Sequence, residues 1–222
     1  MIALYIEVPY GSFRKSYARS FAETYPFPPP ATVYGMLLSL VGEWFRARHS
    51  GVQLAFAYKK QPLVAASLRK LSRYKYGVPG KQSKLGNAPD FVETLCGIEF
   101  ICWIDSSQEP QNRSTLESRL VEAIQHPERI ERKGTVCLGL SDDAVNDISL
   151  VDSVTGEWHW LTPCDSGQIE LPVWVDHVGS IDTRWQRYDF EKNSSIVTEE
   201  SARKRLTAIS DPRNFNHDSS PK

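Results

Sequence analysis

The chain of 222 residues is long enough for one domain of ordinary size or two small ones, each with a buried core. Its net charge of −1 hides an asymmetry, because residues 1–89 hold 13 basic and 3 acidic residues, with no acidic residue between Trp44 and Pro89. This segregation favours a polyanionic partner for the first part of the chain. The acidic second part argues against nonspecific binding to any polyanion.

Composition also bears on the cellular compartment. The start of the chain alternates like a strand and lacks the basic segment of a secretion signal, and no apolar run approaches the length of a membrane span. The four cysteines show no paired spacing, which favours buried free thiols over a four-cysteine zinc site: Cys96, Cys102, Cys137 and Cys164. We therefore expect a cytoplasmic protein without a metal, a cofactor or a membrane attachment.

The first predicted strand runs from Ile2 to Pro9, with its apolar residues at every second position. The loop of residues 10–20 that follows mixes aromatic rings with three cations. This mixture suits single-stranded nucleic acid, because rings stack on bases while cations contact phosphates. The candidates in this loop are Arg14, Lys15, Tyr17 and Arg19.

A proline-rich turn, Pro26–Pro30, leads into a predicted amphipathic helix that begins at about Ala31, with Thr32 as its N-cap. The apolar residues at helical spacing predict one buried face: Val33, Met36, Leu37, Leu40, Val41, Trp44 and Phe45. Another side carries only small residues, which would let a ligand or a backbone approach closely: Gly35, Ser39 and Gly42. A helix packed in the core would explain the apolar face but not the side of small residues.

After a second predicted strand, Val52–Tyr58, residues 59–93 form a long basic excursion that we interpret as a projecting arm, or thumb. Tyrosines interleave with cations in residues 66–76, which favours contact with RNA or a neighbouring subunit. Residues 77–89 are rich in Gly, Pro and Lys and suit either an exposed loop or a disordered linker. The candidates for contact are Arg69, Lys70, Arg73, Tyr74 and Lys75.

The remaining elements predict the fold class. A buried strand at residues 94–105, a helix at 114–124 with a capping box of Ser114 and Glu117, and a strand at 134–143 follow the arm. The order β-α-β, arm, β-α-β predicts an α+β fold with a ferredoxin-like, RRM-type sheet backed by two helices. We assign residues 1–146 to this domain, residues 147–191 to a small antiparallel β subdomain, and residues 192–222 to a polar tail.

Two segments resemble a known family. Phe13-Arg14-Lys15-Ser16-Tyr17, followed by the turn and helix of residues 26–37, resembles the signature of the fifth CRISPR-associated (Cas) protein family, in particular its DevS-like branch from type I-B-related systems. Cys137-Leu138-Gly139-Leu140-Ser141 resembles the later Leu-Gly-x-Ser segment of the family. The thumb and the β subdomain match only in placement and character.

The resemblance implies an RRM-like (RAMP) domain with a projecting thumb and a small C-terminal β domain. It implies a non-catalytic subunit of the Cascade surveillance complex that caps the 5′ handle of the guide RNA (crRNA). This subunit would bridge the large subunit to the terminal backbone subunit and so support recognition of target DNA. The implied handle contacts are Arg14, Lys15 and Tyr17, while Thr32, Tyr34 and Gly35 shape a pocket at the helix N-terminus, where free N–H groups favour phosphate.

Two alternatives stay open. Some relatives cleave precursor crRNA without a metal, using a Tyr/Lys/His set, and this chain has five histidines, none in a matching motif. His49 is the only histidine in the basic half and hence the least unfavourable base. A free-standing RRM protein would instead need exposed rings on its central strands. Phe56 and Tyr58 offer such rings, although Ile98–Ile104 predicts core.

Overall fold

A single large sheet, with few helices, dominates the mixed α/β fold. The computed structural model describes residues 1–18, 21–73, 86–110, 112–176 and 182–210, with only the backbone of residues 69–73 and 86–89. The strands are β1 (Ile2–Gly11), β2 (Phe21–Ala22), β3 (Gln53–Tyr58), β4 (Leu63–Arg73), β5 (Gly86–Asp105), β6 (Asp147–Leu150), β7 (Glu157–Pro163), β8 (Ile169–Trp174), β9 (Arg184–Phe190), β10 (Ser195–Ile196) and β11 (Thr207–Ala208). The helices are α1 (Pro30–Leu40), α2 (Leu116–Gln125) and α3 (Glu199–Arg203), and none of these described helices is long and apolar enough to cross a membrane.

The strand order in the sheet is β6-β1-β5-β3-β7-β9-β8. β2 and β4 pair with β5, β10 pairs with β7, and β11 pairs with β3. The segment 147–150 was expected in the C-terminal β subdomain, but it pairs with β1 in the main sheet. The reason is its apolar alternation, since Ile148 lies opposite Ile6 and Leu150 opposite Leu4.

The main core lies between the sheet and the two longer helices. Along β1, Leu4, Ile6 and Val8 are fully buried and face this core, in agreement with the predicted alternation. From α1, Val33 and Leu37 pack into the same cluster. Leu54 and Phe56 of β3 belong to the same cluster, so β1, β3 and α1 share one apolar layer.

The second face of the sheet is covered by the C-terminal segment. Val197 and Ala202 are buried against Trp103 and Trp160, whose ring centroids lie 4.9 Å apart. The guanidinium of Arg205 lies 4.8 Å from the Trp160 ring centroid. We expected a polar tail from residue 192 onward, but residues 197–206 supply this apolar cover. Residues 207–208 pair with β3, and Ile209 packs in the main core. Residues 211–222 lie outside the described chain.

The end of α1 differs from the predicted apolar stripe. The helix starts at Pro30 with Pro29 as its N-cap, so Thr32 is not the cap. It ends at Leu40, and Gly42 adopts a left-handed conformation with φ of +67°. The N–H of Gly42 donates to the Ser39 carbonyl at 3.1 Å and that of Glu43 to the Leu38 carbonyl at 2.9 Å, the bonding pattern of a Schellman motif. The chain therefore turns away from the core before Trp44.

Two further predictions are wrong in detail. The cap of α2 is Thr115, whose side chain accepts from the Ser118 N–H, while the Glu117 carboxylate accepts from the Ser106 N–H instead of closing a capping box. Residues 134–143 form a loop with one isolated bridge, Cys137 to Ala144, instead of a strand.

Candidate nucleic-acid interface

The loop after β1 is held in place by its own backbone. The Phe13 N–H donates to the Thr24 hydroxyl at 2.9 Å, and the Phe13 carbonyl accepts from the Tyr25 N–H at 2.9 Å. The N–H of Lys15 donates to the Glu23 carbonyl at 2.9 Å. The Phe13 ring is buried in the core, so the loop is anchored at its start and presents the following side chains outward.

Three predicted contact residues lie together in this loop. Arg14 is exposed and donates to the Ala18 carbonyl at 2.7 Å. The Lys15 Nζ lies 3.2 Å from the Glu23 carboxylate and 5.7 Å from the Tyr17 ring centroid, and the Tyr17 side chain is 67% exposed. Burial would lower the pKa of Lys15, but hydrogen bonds to Tyr17 and Glu23 outweigh it and raise that pKa. The loop thus offers charged cations beside an exposed ring; Arg19 lies outside the described residues.

A second loop, residues 137–143, is fastened to the first. The Asp143 carboxylate accepts from the backbone N–H groups of Ser12 and Leu140, each at 2.9 Å. Gly139 lies where the two loops meet and has φ of +107°. A Cβ on Gly139 would lie 2.9 Å from the Asp143 carboxylate and 3.1 Å from the Phe13 ring. The glycine of the Leu-Gly-x-Ser segment therefore permits close contact of the two loops.

A groove runs along the exposed side of α1. Its N-terminal part has a volume of about 590 Å³ and reaches from Arg14 and Ser16 to Thr32. Its C-terminal part, about 520 Å³, continues along Thr32, Gly35 and Ser39 to Trp44. Both parts share Thr32, Gly139 and Val175, so we treat them as one feature, the α1 groove. A Cβ on Gly35 would meet no heavy atom within 4 Å, which leaves this side of the helix open.

Tyr34 does not belong to the groove surface, although we expected it to shape the site. Its side chain is 1% exposed and its hydroxyl donates to the Arg46 carbonyl at 2.6 Å. Burial raises the pKa of this hydroxyl well above its usual value, and the Glu109 charge adds to the effect. Tyr34 faces the core because helical periodicity places it next to Val33 and Leu37 on the buried side. Its hydroxyl holds the segment after α1.

The predicted thumb is a long hairpin of β4 and the first half of β5, here called the β-arm. Its register runs from Leu63 opposite Cys96 to Arg73 opposite Gly86. Arg69, Lys70 and Arg73 occupy β4 positions in this hairpin, while Tyr74 and Lys75 lie outside the described residues. Near its base, Val64, Leu68 and Phe91 are exposed apolar residues. The hairpin itself was predicted, but its ligand contacts stay predictions.

His49, the one histidine weighed as a catalytic base, is fully buried. Its Nδ1 lies 2.6 Å from the Glu109 carboxylate, and its Nε2 lies 2.9 Å from an Arg119 guanidinium nitrogen. Because both ring nitrogens are engaged inside the protein, the geometry gives His49 no access to an RNA hydroxyl. In the described part of the chain, no three His, Cys, Asp or Glu side chains lie close enough to hold a metal ion.

The rings needed by a free-standing RRM protein are not accessible. Phe56 is 1% exposed and Tyr58 fully buried, and both belong to the main core. The opposite face of the same strands is covered by the C-terminal segment, as described above. The two rings that this alternative named therefore cannot stack on bases.

Sequence reasoning missed three residues at the far end of the α1 groove. Trp44 is 72% exposed, and the groove lining around it includes Arg132 and Lys133. The signal that could have revealed Trp44 is Gly42, a residue typical of a helix end, which breaks the apolar stripe two positions earlier. Nothing in the local sequence indicated that residues 132 and 133 would lie beside it.

Comparisons with known proteins agree with the resemblance. No protein-family model matches the sequence. A curated relative, "CRISPR-associated protein Cas5" from Myxococcus xanthus (strain DK1622), is 39% identical over 189 residues, which make up 84% of this chain and 88% of the relative. A solved chain titled "CRISPR RNA-guided surveillance complex" aligns with a TM-score of 0.61 and 11% identity over 92% of this chain and 96% of its own length. Another, titled "Crystal structure of Cas protein", has a TM-score of 0.48 and 12% identity over 90% and 96%. The first structural likeness shows the fold, and the sequence identity shows the family: this chain belongs to the Cas5 family of CRISPR-associated proteins.

Proposed function

We propose that this chain is a non-catalytic RNA-binding subunit of a type I Cascade complex, in which it caps the 5′ handle of the crRNA. Family membership supports this assignment, as does the fold shared with a chain of a CRISPR RNA-guided surveillance complex. The observation that carries the proposal is local. The exposed Arg14–Tyr17 loop opens directly into the α1 groove, and the buried Asp143 carboxylate fixes that junction.

The chemistry of the junction suits a single strand of RNA. Arg14 and Lys15 can contact phosphates, and the Tyr17 ring can stack on a base. Gly35 has no side chain, and Thr32 has a small one, so a sugar–phosphate backbone could approach α1 closely. Binding through such contacts weakens with salt, because each neutralised phosphate releases counterions.

The arrangement of the central strands supports a ferredoxin-like, RRM-type (RAMP) unit. In chain order, β1, β3, β5 and β6 are its first to fourth strands, and in space they follow the order fourth-first-third-second. α1 connects the first two strands and α2 the last two. The unit would therefore extend to Leu150, with the β-arm inserted between its second and third strands.

The assignment as non-catalytic rests on His49. A metal-free ribonuclease needs groups that move the 2′-hydroxyl proton. The sequence alternative placed His49 in that role, and its burial between Glu109 and Arg119 supports a structural role instead. Isolated full-length chain should leave repeat RNA intact.

The partners follow from the same proposal. In a cytoplasmic Cascade, we expect the chain to bridge the large subunit to the terminal backbone subunit and to contribute to recognition of target DNA only through the guide. The basic β-arm suits RNA or the backbone subunit, and the acidic second half of the chain suits protein contacts.

The test is retention of guide RNA by the assembled complex. We expect the full-length chain to co-purify with crRNA and an uneven set of subunits. Arg14→Ala combined with Tyr17→Ala should lower the crRNA retained per complex and the steepness of its salt dependence. Lys204→Ala is the matched control, since that side chain is exposed on the segment that covers the opposite face of the sheet. Unchanged retention in the double variant, or cleavage of repeat RNA by the isolated chain, would contradict the proposal.

A further inference from the structure

Trp44 is an exposed aromatic residue that the fold does not explain. Its side chain is 72% exposed, and that of the adjacent Phe45 is 76% exposed. Large aromatic rings usually supply core area, and an exposed ring with a cation beside it is typical of binding surfaces. The Lys133 Nζ lies 5.8 Å from the Trp44 ring centroid.

The backbone on both sides of Trp44 is held by a partly buried polar network. The Glu43 carboxylate, with its side chain 8% exposed, accepts from the Phe45 N–H at 2.9 Å and lies 2.6 Å from Arg119 and 3.2 Å from Arg48. The Arg119 guanidinium also donates to the Val41 carbonyl at 3.0 Å. Trp44 is therefore presented from a fixed segment, which lowers the entropy that a ligand contact would cost.

Gly42 brings the second half of this surface into place. A Cβ at Gly42 would lie 2.5 Å from the carbonyl oxygen of Glu131, so only glycine lets the end of α1 rest on that backbone. This contact sets residues 130–133 beside Trp44. The Trp44–Lys133 pair therefore forms because the end of α1 and the segment of residues 130–133 meet at Gly42.

The charges around the ring favour an anionic ligand. Burial would raise the pKa of Glu43, but hydrogen bonds from the Phe45 N–H and Arg119 outweigh it and lower that pKa, so Glu43 is ionised. Its charge is matched by Arg119 and Arg48. Arg132 and Lys133 line the groove beside Trp44 in addition to these pairs. A neighbouring cavity that Trp44 and Lys133 also line carries Glu122 and Glu131 together with Arg119 and Arg129, so cations still outnumber carboxylates around the ring. An apolar protein surface laid on Trp44 would have to desolvate both cations, whereas a phosphate would pair with them.

We propose that Trp44 is a stacking platform for one nucleobase of the bound RNA and that Lys133 holds an adjoining phosphate. This inference rests on the proposed function, because Trp44 lies in the α1 groove that begins at the Arg14–Tyr17 loop. α1 is 11 residues long, so the groove follows the helix over about 16 Å. A strand that passes Tyr17, enters the groove beside Arg14 and Ser16 and follows α1 reaches Trp44 at the other end.

The test uses the full chain in its assembled complex and a set of guide RNAs in which each nucleotide of the 5′ handle in turn is replaced by an abasic residue. Trp44→Ala should weaken binding of the unmodified guide by roughly 5- to 100-fold, and Trp44→Phe should restore most of it. At one handle position the abasic guide should bind Trp44→Ala and the unaltered protein equally, because the stacking partner is already absent. Lys133→Ala should reduce the dependence of log affinity on log salt by about 0.7.

Phe45→Ala is the matched control, since Phe45 is equally exposed but does not line the groove, and it should bind the unmodified guide like the unaltered protein. If Trp44→Ala binds the unmodified guide normally, or loses the same affinity for every abasic guide, the inference is overturned. A loss in the Arg14 and Tyr17 variants alone would overturn the inference and leave the proposed function standing. Failure of the unaltered complex to retain any guide would overturn the proposed function itself.

Discussion

Asp143 accepts a hydrogen bond from the Ser12 backbone N–H at 2.9 Å, across 131 residues of sequence. The same carboxylate accepts from the Leu140 N–H at 2.9 Å. Two of the segments that carry the family resemblance, residues 137–141 and residues 13–17 just after Ser12, are thus linked by one buried side chain that belongs to neither. Their separate sequence patterns describe a single structural junction at the mouth of the α1 groove.

The first prediction concerns this junction. Asp143→Ala would leave the Ser12 and Leu140 N–H groups without their acceptor, and we expect it to lower the free energy of unfolding by about 2–3 kcal/mol. Asp143→Asn keeps one acceptor oxygen and should cost about half as much. Asp142→Ala is the control, because Asp142 is exposed, and should change stability by less than about 0.5 kcal/mol. Urea denaturation measures all three, and equal effects at positions 142 and 143 would contradict the prediction.

The second prediction compares two glycines of the same helix region. Gly42→Ala should destabilise the protein by more than about 2 kcal/mol, because φ is +67° and the new Cβ would lie 2.5 Å from the Glu131 carbonyl oxygen. Gly35→Ala should stabilise it by about 0.5–1 kcal/mol, since Gly35 is exposed within α1 and its Cβ would meet nothing. Thermal melting of the two variants gives the signs directly. Shifts of the same sign would show that the turn after α1 is not fixed as described.

Gly42 also illustrates how far the sequence predicts this fold. The apolar spacing correctly predicted a buried helix through Val33, Leu37 and Leu40, because local periodicity and burial agree there. The same periodicity extended to Trp44 wrongly predicted a buried side chain. The helix ends before the left-handed Gly42, so residues beyond it no longer follow helical spacing. A local rule for helix ends would have corrected this error.

Other features of the fold have no local signal in the sequence. The strand at residues 147–150 pairs with β1, about 140 residues earlier in the chain, and a strand pattern does not by itself name so distant a partner. Histidine is a common catalytic base, so the sequence alone allowed that role for His49. Its burial against Glu109 and Arg119 is visible only in the tertiary structure. The candidate site shows the same limit: the Arg14–Tyr17 loop was visible in the sequence, whereas the place of Lys133 beside Trp44 arises from packing.

The third prediction uses two buried tyrosines. No hydrogen-bond partner for the Tyr58 hydroxyl is found among the described residues, whereas the Tyr188 hydroxyl donates to Thr207 at 3.0 Å. Burial raises the pKa of both hydroxyls, so neither ionises near neutral pH. Tyr58→Phe removes an unpaired buried hydroxyl and should raise the free energy of unfolding by about 1 kcal/mol. Tyr188→Phe should lower it by about 1 kcal/mol, and urea denaturation distinguishes the two. A loss of stability in Tyr58→Phe would mean that its hydroxyl is paired.

The fourth prediction is a pH dependence from Glu109 and Glu43. Burial would raise the pKa of Glu109, but hydrogen bonds from His49, Ser106 and the Leu116 N–H outweigh it and lower that pKa below the ordinary glutamate value of 4.5. The pKa of Glu43 is lowered in the same sense by the Phe45 N–H and Arg119. Their contribution to stability is fully present above pH 4.5 and is lost as the pH falls through the folded-state pKa values.

We therefore expect the free energy of unfolding to decrease as the pH falls from 5 toward 3. Glu109→Gln should be less stable at pH 7 by about 2–4 kcal/mol, because Gln cannot accept from His49 and from the Leu116 N–H with the strength of a carboxylate. It should also show a shallower decline in acid, by up to about 1.4 kcal/mol per pH unit, since one proton uptake on unfolding has been removed. Glu200→Gln, at an exposed ion pair with Lys204, should change stability at pH 7 by less than about 0.5 kcal/mol. Denaturation curves at a series of pH values supply both quantities, and an unchanged acid slope in Glu109→Gln would show that its carboxylate is not held charged by the His49 network.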